Sequence, residues 1–286
     1  MEHFVWDFSP EIFKIGAFAP RWYGLMFALG FMVGYSIMQK IFLREGRNEE
    51  DLSSLLFHLM VGTIVGARLG HCLFYEPDYY LSHPLEILFV WRGGLASHGG
   101  TLGVLLSVWL YKLKHPDQGY IWLADRLAFP VAFTAACIRI GNFFNSEILG
   151  KPSDVPWAII FSAAGDNTPR HPAMLYEAAC YLVLSATLGL LYFKTKAGET
   201  KGRLIGLMLT GIFTARFFLE FVKENQVPFE NDLPLNMGQL LSIPFIIVGL
   251  LLFSGKLVAW FPWLDSGFGG SKPLPTTKSP APKRKA

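Results

Sequence analysis

The stretch Arg139-Ile-Gly-Asn-Phe-Phe-Asn-Ser-Glu-Ile-Leu-Gly150 sets a guanidinium, two carboxamides and a carboxylate directly after an apolar run from about Ile121 to Ile138. A bilayer makes such groups expensive unless they pair or face water, so their density there marks a site for a polar reactant. Arg139 and Asn142 are three apart and share a face if the helix continues through them. The planar donors of a guanidinium grip phosphate oxygens in a fork. Asn142 and Asn145 suit hydroxyls. Basic residues also satisfy the last carbonyls of a helix, but capping alone does not call for Glu147 and Gly150 as well.

Four further polar clusters accompany this stretch: Arg21-Trp-Tyr-Gly-Leu-Met26, the glycine-rich run from Gly93 to Gly103 around His98, Arg170-His-Pro-Ala-Met-Leu-Tyr-Glu177, and Arg216-Phe-Phe-Leu-Glu220. Arg216 and Glu220 are four apart and can pair, either as a lock between helices or as an anion-binding arginine oriented by its carboxylate. His98 is a candidate proton acceptor near neutral pH, or a hydrogen-bonding interfacial histidine. The glycines around it permit close approach to a ligand or close helix packing. Tyr23 reads as an interface anchor or as a cleft hydroxyl. Arg68 and His71 read as ties to neighbouring helices, while Tyr176 and Glu177 stay ambiguous. No Gly-x-Ser-x-Gly, His-Glu-x-x-His or phosphate-loop motif is present. These parts supply cations, amides and one base, which fits displacement of a phosphate leaving group by an external nucleophile.

The elements that must position these groups are membrane helices. Of 286 residues 52% are hydrophobic and only 16% charged, against about 25% charged in a soluble domain. The net charge of +3 lies largely in the tail, and nothing suggests nucleic acid binding. Seven apolar segments are expected to span, near 22–42, 52–74, 96–113, 121–138, 173–193, 204–222 and 237–261, whereas Leu85–Val90 is too short. Lys40, Arg44 and Arg47, then Lys112 and Lys114, then Lys194, Lys196, Lys201 and Arg203 load alternate connections with positive charge. That bias puts the amino terminus outside and the carboxyl terminus in the cytoplasm. The fold class is therefore an all-α integral membrane protein of about seven transmembrane helices with a small extracytoplasmic head. The transmembrane catalytic domain covers 1–262, with the head at 139–172, where Trp157–Phe161 is a short strand or an interfacial segment. Residues 263–286 form a basic, mostly disordered cytoplasmic tail. The first helix serves as the export signal. Cys72, Cys137 and Cys180 are expected to be buried packing residues, and no internal repeat is present.

Together these motifs resemble the prolipoprotein diacylglyceryl transferases. Arg139–Gly150 resembles the family signature. Arg-Trp-Tyr-Gly-Leu-Met at 21–26, His-Gly-Gly at 98–100, Arg-His-Pro at 170–172, Arg-Phe-Phe-Leu-Glu at 216–220 and Met237-Gly-Gln-Leu-Leu-Ser-Ile-Pro244 follow in matching order. Thr101 stands where an apolar residue is usual, and Ala173-Met174 where Thr-Gln is common. The resemblance covers residues 15 to 255. It implies a bacterial inner-membrane enzyme, open laterally to lipid, with its site toward the periplasmic leaflet. Such enzymes move the diacylglyceryl group of phosphatidylglycerol to the thiol of a lipobox cysteine in a prolipoprotein signal peptide, releasing glycerol 1-phosphate. Neither metal nor cofactor is implied. By position, Arg139 carries over as a phosphatidylglycerol-binding residue, with Asn142, Glu147 and Gly150 as essential neighbours, and Tyr23, His98, Arg216 and Glu220 as cleft residues. The acceptor thiol comes from the substrate, so the chain needs no catalytic cysteine. Arg139 and Arg216 are expected to stabilise the leaving phosphate while His98 assists thiol deprotonation. A lipid or anion transporter and a structural membrane subunit are the competing readings of the same charges.

Overall fold

The computed structural model describes residues 2–16, 19–90, 93–225 and 233–263. The tail expected from 263 onward lies outside them beyond Trp263. In chain order the elements are β1 (Phe4–Trp6), α1 (Trp22–Arg44), α2 (Glu49–Phe74), α3 (Pro77–Ser82), α4 (Ser97–Lys114), α5 (Tyr120–Phe144), β2 (Ile159–Phe161), β3 (Pro169–Arg170), α6 (Ala173–Lys194), α7 (Arg203–Leu219), α8 (Met237–Phe253) and α9 (Lys256–Trp260). Among the described residues five helices are long and apolar enough to cross a membrane: α1, α2, α5, α6, and α7 with the 3₁₀ turn that extends it to Val222. The chain is a multi-pass, mostly helical membrane protein.

Three boundaries differ from the sequence reading, each for a local reason. α5 runs on through Arg139 and Asn142 to Phe144, because the polar groups that would end an apolar run find partners inside the protein. The last apolar segment breaks at Gly255 (φ 73°), leaving α9 separate from α8. Leu85–Val90 becomes a 3₁₀ turn over Pro84–Leu88. Cys72 and Cys137 are buried as expected, but Cys180 is exposed on α6. In a spanning helix an apolar side chain has no reason to avoid the outer surface, since lipid is as apolar as the interior.

The chain divides into two compact units. The first joins Met1–Ser53 to Ile121–Phe261, and the second is built on Ser54–Tyr120. In the second, Gly62, Gly66 and Gly70 of α2 meet Gly99 and Gly103 of α4 so closely that a Cβ on Gly66 would lie 2.4 Å from Gly99 O. Gly99 and Gly103 beside His98 therefore serve close helix packing. Buried Arg68 donates to the carbonyls of Glu86 (2.6 Å), Ile87 (3.0 Å) and Gly93 (2.6 Å). Its ties run to the connection after α3 rather than to a helix.

In the first unit, the two ends of the helices are fixed differently. At one end Glu45 accepts hydrogen bonds from Arg126 Nε (3.0 Å), Trp122 Nε1 (2.9 Å) and Tyr192 Oη (2.6 Å), tying the end of α1 to the start of α5 and the end of α6. Nearby in sequence, the fully buried Asp125 accepts the N–H groups of Gly202 (2.7 Å), Leu204 (3.0 Å) and Ile205 (2.9 Å). A carboxylate from α5 thus satisfies the orphan donors that open α7. Since α5 and α7 begin at the same end, their carboxyl-terminal parts, bearing Arg139 and Arg216, emerge at the other.

A small sheet caps that other end. β1 pairs in parallel with β2, and β2 antiparallel with β3, in the order β1-β2-β3. Trp157–Phe161 thus contributes a strand. Phe143, Ile159, Phe161 and Met174 form its buried cluster, with Trp6 packed on Phe143 at 4.3 Å between ring centroids. Phe144 stacks on Trp22 at 5.1 Å. The two adjacent phenylalanines of the signature therefore bolt the sheet and the start of α1 to the last turn of α5.

Candidate active site

Arg139 Nη1 donates to Asn142 Oδ1 (3.3 Å), and Asn142 Nδ2 donates to Glu147 Oε2 (3.0 Å). Asn145 Nδ2 donates to the other oxygen of Glu147 (3.1 Å). The helix ends so that these contacts can form. Glu147 N–H reaches back to Asn142 O (3.0 Å), and Ser146 (φ 53°) and Ile148 (φ 59°) flank Glu147 in left-handed conformations. A β-branched residue there is an outlier, and such strain persists where the surroundings over-determine it. Here the surroundings are the carboxamides on either side of Glu147.

Gly150 fixes the next segment. Its N–H donates to His171 O (3.1 Å), while Lys151 N–H donates to Val222 O (2.8 Å) and Glu224 N–H to Leu149 O (3.2 Å). A Cβ on Gly150 would lie 2.4 Å from His171 O and 2.9 Å from Val222 O. Only glycine lets the three segments close into one strap. Arg170 tightens it by pairing with Asp166 (2.8 Å) and with Glu224. His171 Nδ1 lies 3.1 Å from Tyr176 Oη, which also accepts from Trp157 Nε1 (2.7 Å).

The strap delivers a residue that the sequence reading missed. Lys223 is buried, with its ammonium 2.8 Å from Glu220 Oε1 and 3.5 Å from Glu177 Oε1. Glu177, fully buried at the start of α6, holds Arg139: Oε2 lies 3.0 Å from Arg139 Nε. That oxygen receives no well-directed hydrogen bond, so charge rather than geometry binds it. Arg216 Nε lies 3.6 Å from Glu220 Oε1, so the predicted pair exists but is longer than the one Glu220 makes with Lys223. Glu220 also accepts from Asn236 Nδ2 (3.2 Å), the N-cap of α8, whose capping box with Gln239 is complete. Gly238 leaves the room for this, since a Cβ there would meet the Glu220 carboxylate at 2.5 Å.

Tyr23 packs against Gly141, whose Cβ would lie 2.8 Å from the Tyr23 ring, and it lies within electrostatic range of Glu147 and Arg139. One unit therefore brings together Tyr23, Arg139, Asn142, Asn145, Glu147, Gly150, Arg216 and Glu220. A family model for prolipoprotein diacylglyceryl transferase matches residues 10–254. The chain belongs to that family. It is 50% identical over 247 residues to the phosphatidylglycerol–prolipoprotein diacylglyceryl transferase of Chloroherpeton thalassium, spanning 86% of this chain and 92% of that protein. It is 49% identical to the protein of the same name from Tolumonas auensis (86% and 95%) and 44% identical to that of Bacteroides fragilis (88% and 95%).

His98 lies in the second unit, exposed at the start of α4, where it stacks on Tyr75 (5.7 Å, 29°) and meets Phe74 edge-on (5.9 Å). Of the three cations in this transferase site, Arg216 is the most accessible, and the side chain of Arg139 is 15% exposed. The side chain of Arg216 is 34% exposed, whereas that of Lys223 is 4% exposed. The signal for Lys223 was its place three residues after Glu220, one turn on along the same face.

Proposed function

We propose that this chain transfers the diacylglyceryl group of phosphatidylglycerol to the thiol of a lipobox cysteine in a prolipoprotein signal peptide, the first step of bacterial lipoprotein maturation. The observation that carries the reading is the pair of arginines, Arg139 and Arg216, at the same end of α5 and α7 and each tethered to a buried carboxylate. The names of the relatives supply the donor and the acceptor.

The chemistry balances without a cofactor. The cysteine thiolate forms a carbon–sulfur bond to the glyceryl carbon that carries the phosphate, and the carbon–oxygen bond to phosphate breaks. One negative charge on sulfur and one on the phosphodiester become two on the departing glycerol 1-phosphate. Cations beside that phosphate therefore hold the transition state more tightly than the ground state, and that difference is what accelerates a reaction. Arg139 and Arg216 take this role. Asn142 holds Arg139 from one side and is itself held by Glu147, which Asn145 also contacts, and these groups offer hydrogen bonds to the glycerol hydroxyls. Tyr23 and Glu220 complete the cleft, and His98 is the candidate that the sequence offers for the thiol proton. If His98→Gln kept wild-type turnover, solvent rather than His98 would take that proton.

The same reading has seven spans, with α4 and α8 crossing as well as the five longer helices. The amino terminus is outside the bacterial inner membrane, the head at 139–172 and the site lie on the periplasmic side, and the tail from 263 is cytoplasmic. The orientation is supported by Arg44, Arg47, Lys194, Lys196, Lys201 and Arg203, which follow or precede the helix ends opposite Arg139 and Arg216.

Incubation of the purified protein with phosphatidylglycerol and a lipobox peptide, followed by mass spectrometry, tests the reaction. A diacylglyceryl mass gain is expected, absent with a Cys→Ser peptide and with Asn142→Ala. No gain from folded protein would move the reading to lipid binding or transport.

A further inference from the structure

Five charges run through the first unit in strict alternation: Arg139, Glu177, Lys223, Glu220 and Arg216. The outer members are the two phosphate-binding arginines. The central member touches both carboxylates and is itself almost wholly buried. By contacting one oxygen of each carboxylate, Lys223 links the groups that hold the two arginines.

We propose that Lys223 is a positioning residue for the transfer, the cation that fixes how Arg139 and Arg216 stand to one phosphate; this rests on the reading above. Without the ammonium, Glu177 and Glu220 would face each other across the space it fills. Each carboxylate would then draw more strongly on its remaining cation, and an arginine closed onto a carboxylate has fewer donors to offer a phosphate. A buried ion-pair array seldom stabilises a fold more than apolar residues of the same size would. The backbone supports a placed rather than incidental lysine, because residues 222 to 224 are bonded on both sides of Lys223 to the Leu149–Lys151 segment. The requirement that Gly150 be glycine follows from the same strap, since displacing it displaces Lys223.

The test compares wild type with Lys223→Met, Lys223→Arg and Asn236→Ser in the lipobox-peptide assay, with KM for phosphatidylglycerol, kcat and Tm in detergent each measured. Lys223→Met should raise KM by about tenfold or more, as expected when one partner of a buried charge pair is lost. Its preference for phosphatidylglycerol over diacylglycerol, measured as retained lipid by mass spectrometry, should shrink with it. Lys223→Arg, which keeps the charge, should recover most of both. Asn236→Ser keeps an N-cap oxygen for α8 but removes the amide donor to Glu220, and should raise KM by a smaller factor with Tm nearly unchanged. It carries the test if Lys223→Met does not fold. Wild-type kcat/KM and lipid preference in Lys223→Met, or in Asn236→Ser where the first variant is unfolded, would overturn the inference. A wild-type protein that transfers nothing would instead sink the underlying reading.

Discussion

Arg139 uses different nitrogens for different partners, Nε for Glu177 and Nη1 for Asn142. A lysine has one nitrogen and cannot keep both while also facing a phosphate. Arg139→Lys should therefore lower kcat/KM about tenfold to a hundredfold, the value of a hydrogen bond or two to a charged group, while the protein still folds. Equal kcat/KM for the two proteins would remove Arg139 from the phosphate site. Asp166 gives a prediction of a different kind, outside the spans. The hydrogen bond from Arg170, and another from Thr168 N–H, hold its carboxyl below the usual range. A depressed carboxylate contributes stability above its unfolded pKa, near 3.9, and loses it as pH falls through the folded value. The Tm difference between wild type and Asp166→Asn should therefore be present at pH 6 and close below about pH 4. It should be small, because the group is exposed. A difference that widened with acid would contradict the assignment.

Among the elements, the helices were legible because a bilayer demands long apolar runs, and the seven segments read from sequence correspond to α1, α2, α4, α5, α6, α7 and α8. The sheet was not legible. β1 finds its partner β2 at residues 159–161, and a three-residue strand paired across such a separation leaves no local period to read. Asp125 escaped for the same reason, since a carboxylate inside an apolar run gives no hint that it opens a helix nearly eighty residues on. Asp125→Ala should leave three buried N–H groups without an acceptor and destabilise by about 3 kcal/mol or more, seen as a lower Tm and faster proteolysis near residue 202. An unchanged Tm would mean that water replaces the carboxylate there. Gly150 carried a role only by resemblance, and the structure supplies its cause in the closeness of His171 and Val222. Gly150→Ala should cost about 1–3 kcal/mol through overpacking and should abolish transfer even where the protein still folds.

At the scale of the whole molecule, one end of the first unit is knitted by Glu45, Asp125 and Arg126 and bordered by basic connections, while the other bears the arginines and the sheet. The asymmetry has a physical sense. The knitted end satisfies its charges internally, so it is free to carry the positive connections that hold a membrane protein in the cytoplasmic orientation. The arginine end leaves Arg216 partly exposed, which suits a headgroup arriving from the outer leaflet. The asymmetry agrees with the proposed orientation, and reporter insertions decide it. Alkaline phosphatase, active only after export, should be active when inserted between Asp154 and Asp166 and inactive between Lys196 and Lys201. A cytoplasmic fluorescent reporter should give the reverse. Activity at both insertion points would deny that α6 crosses the membrane, and the opposite pattern would invert the molecule, putting the arginines on the side where prolipoprotein thiols do not emerge.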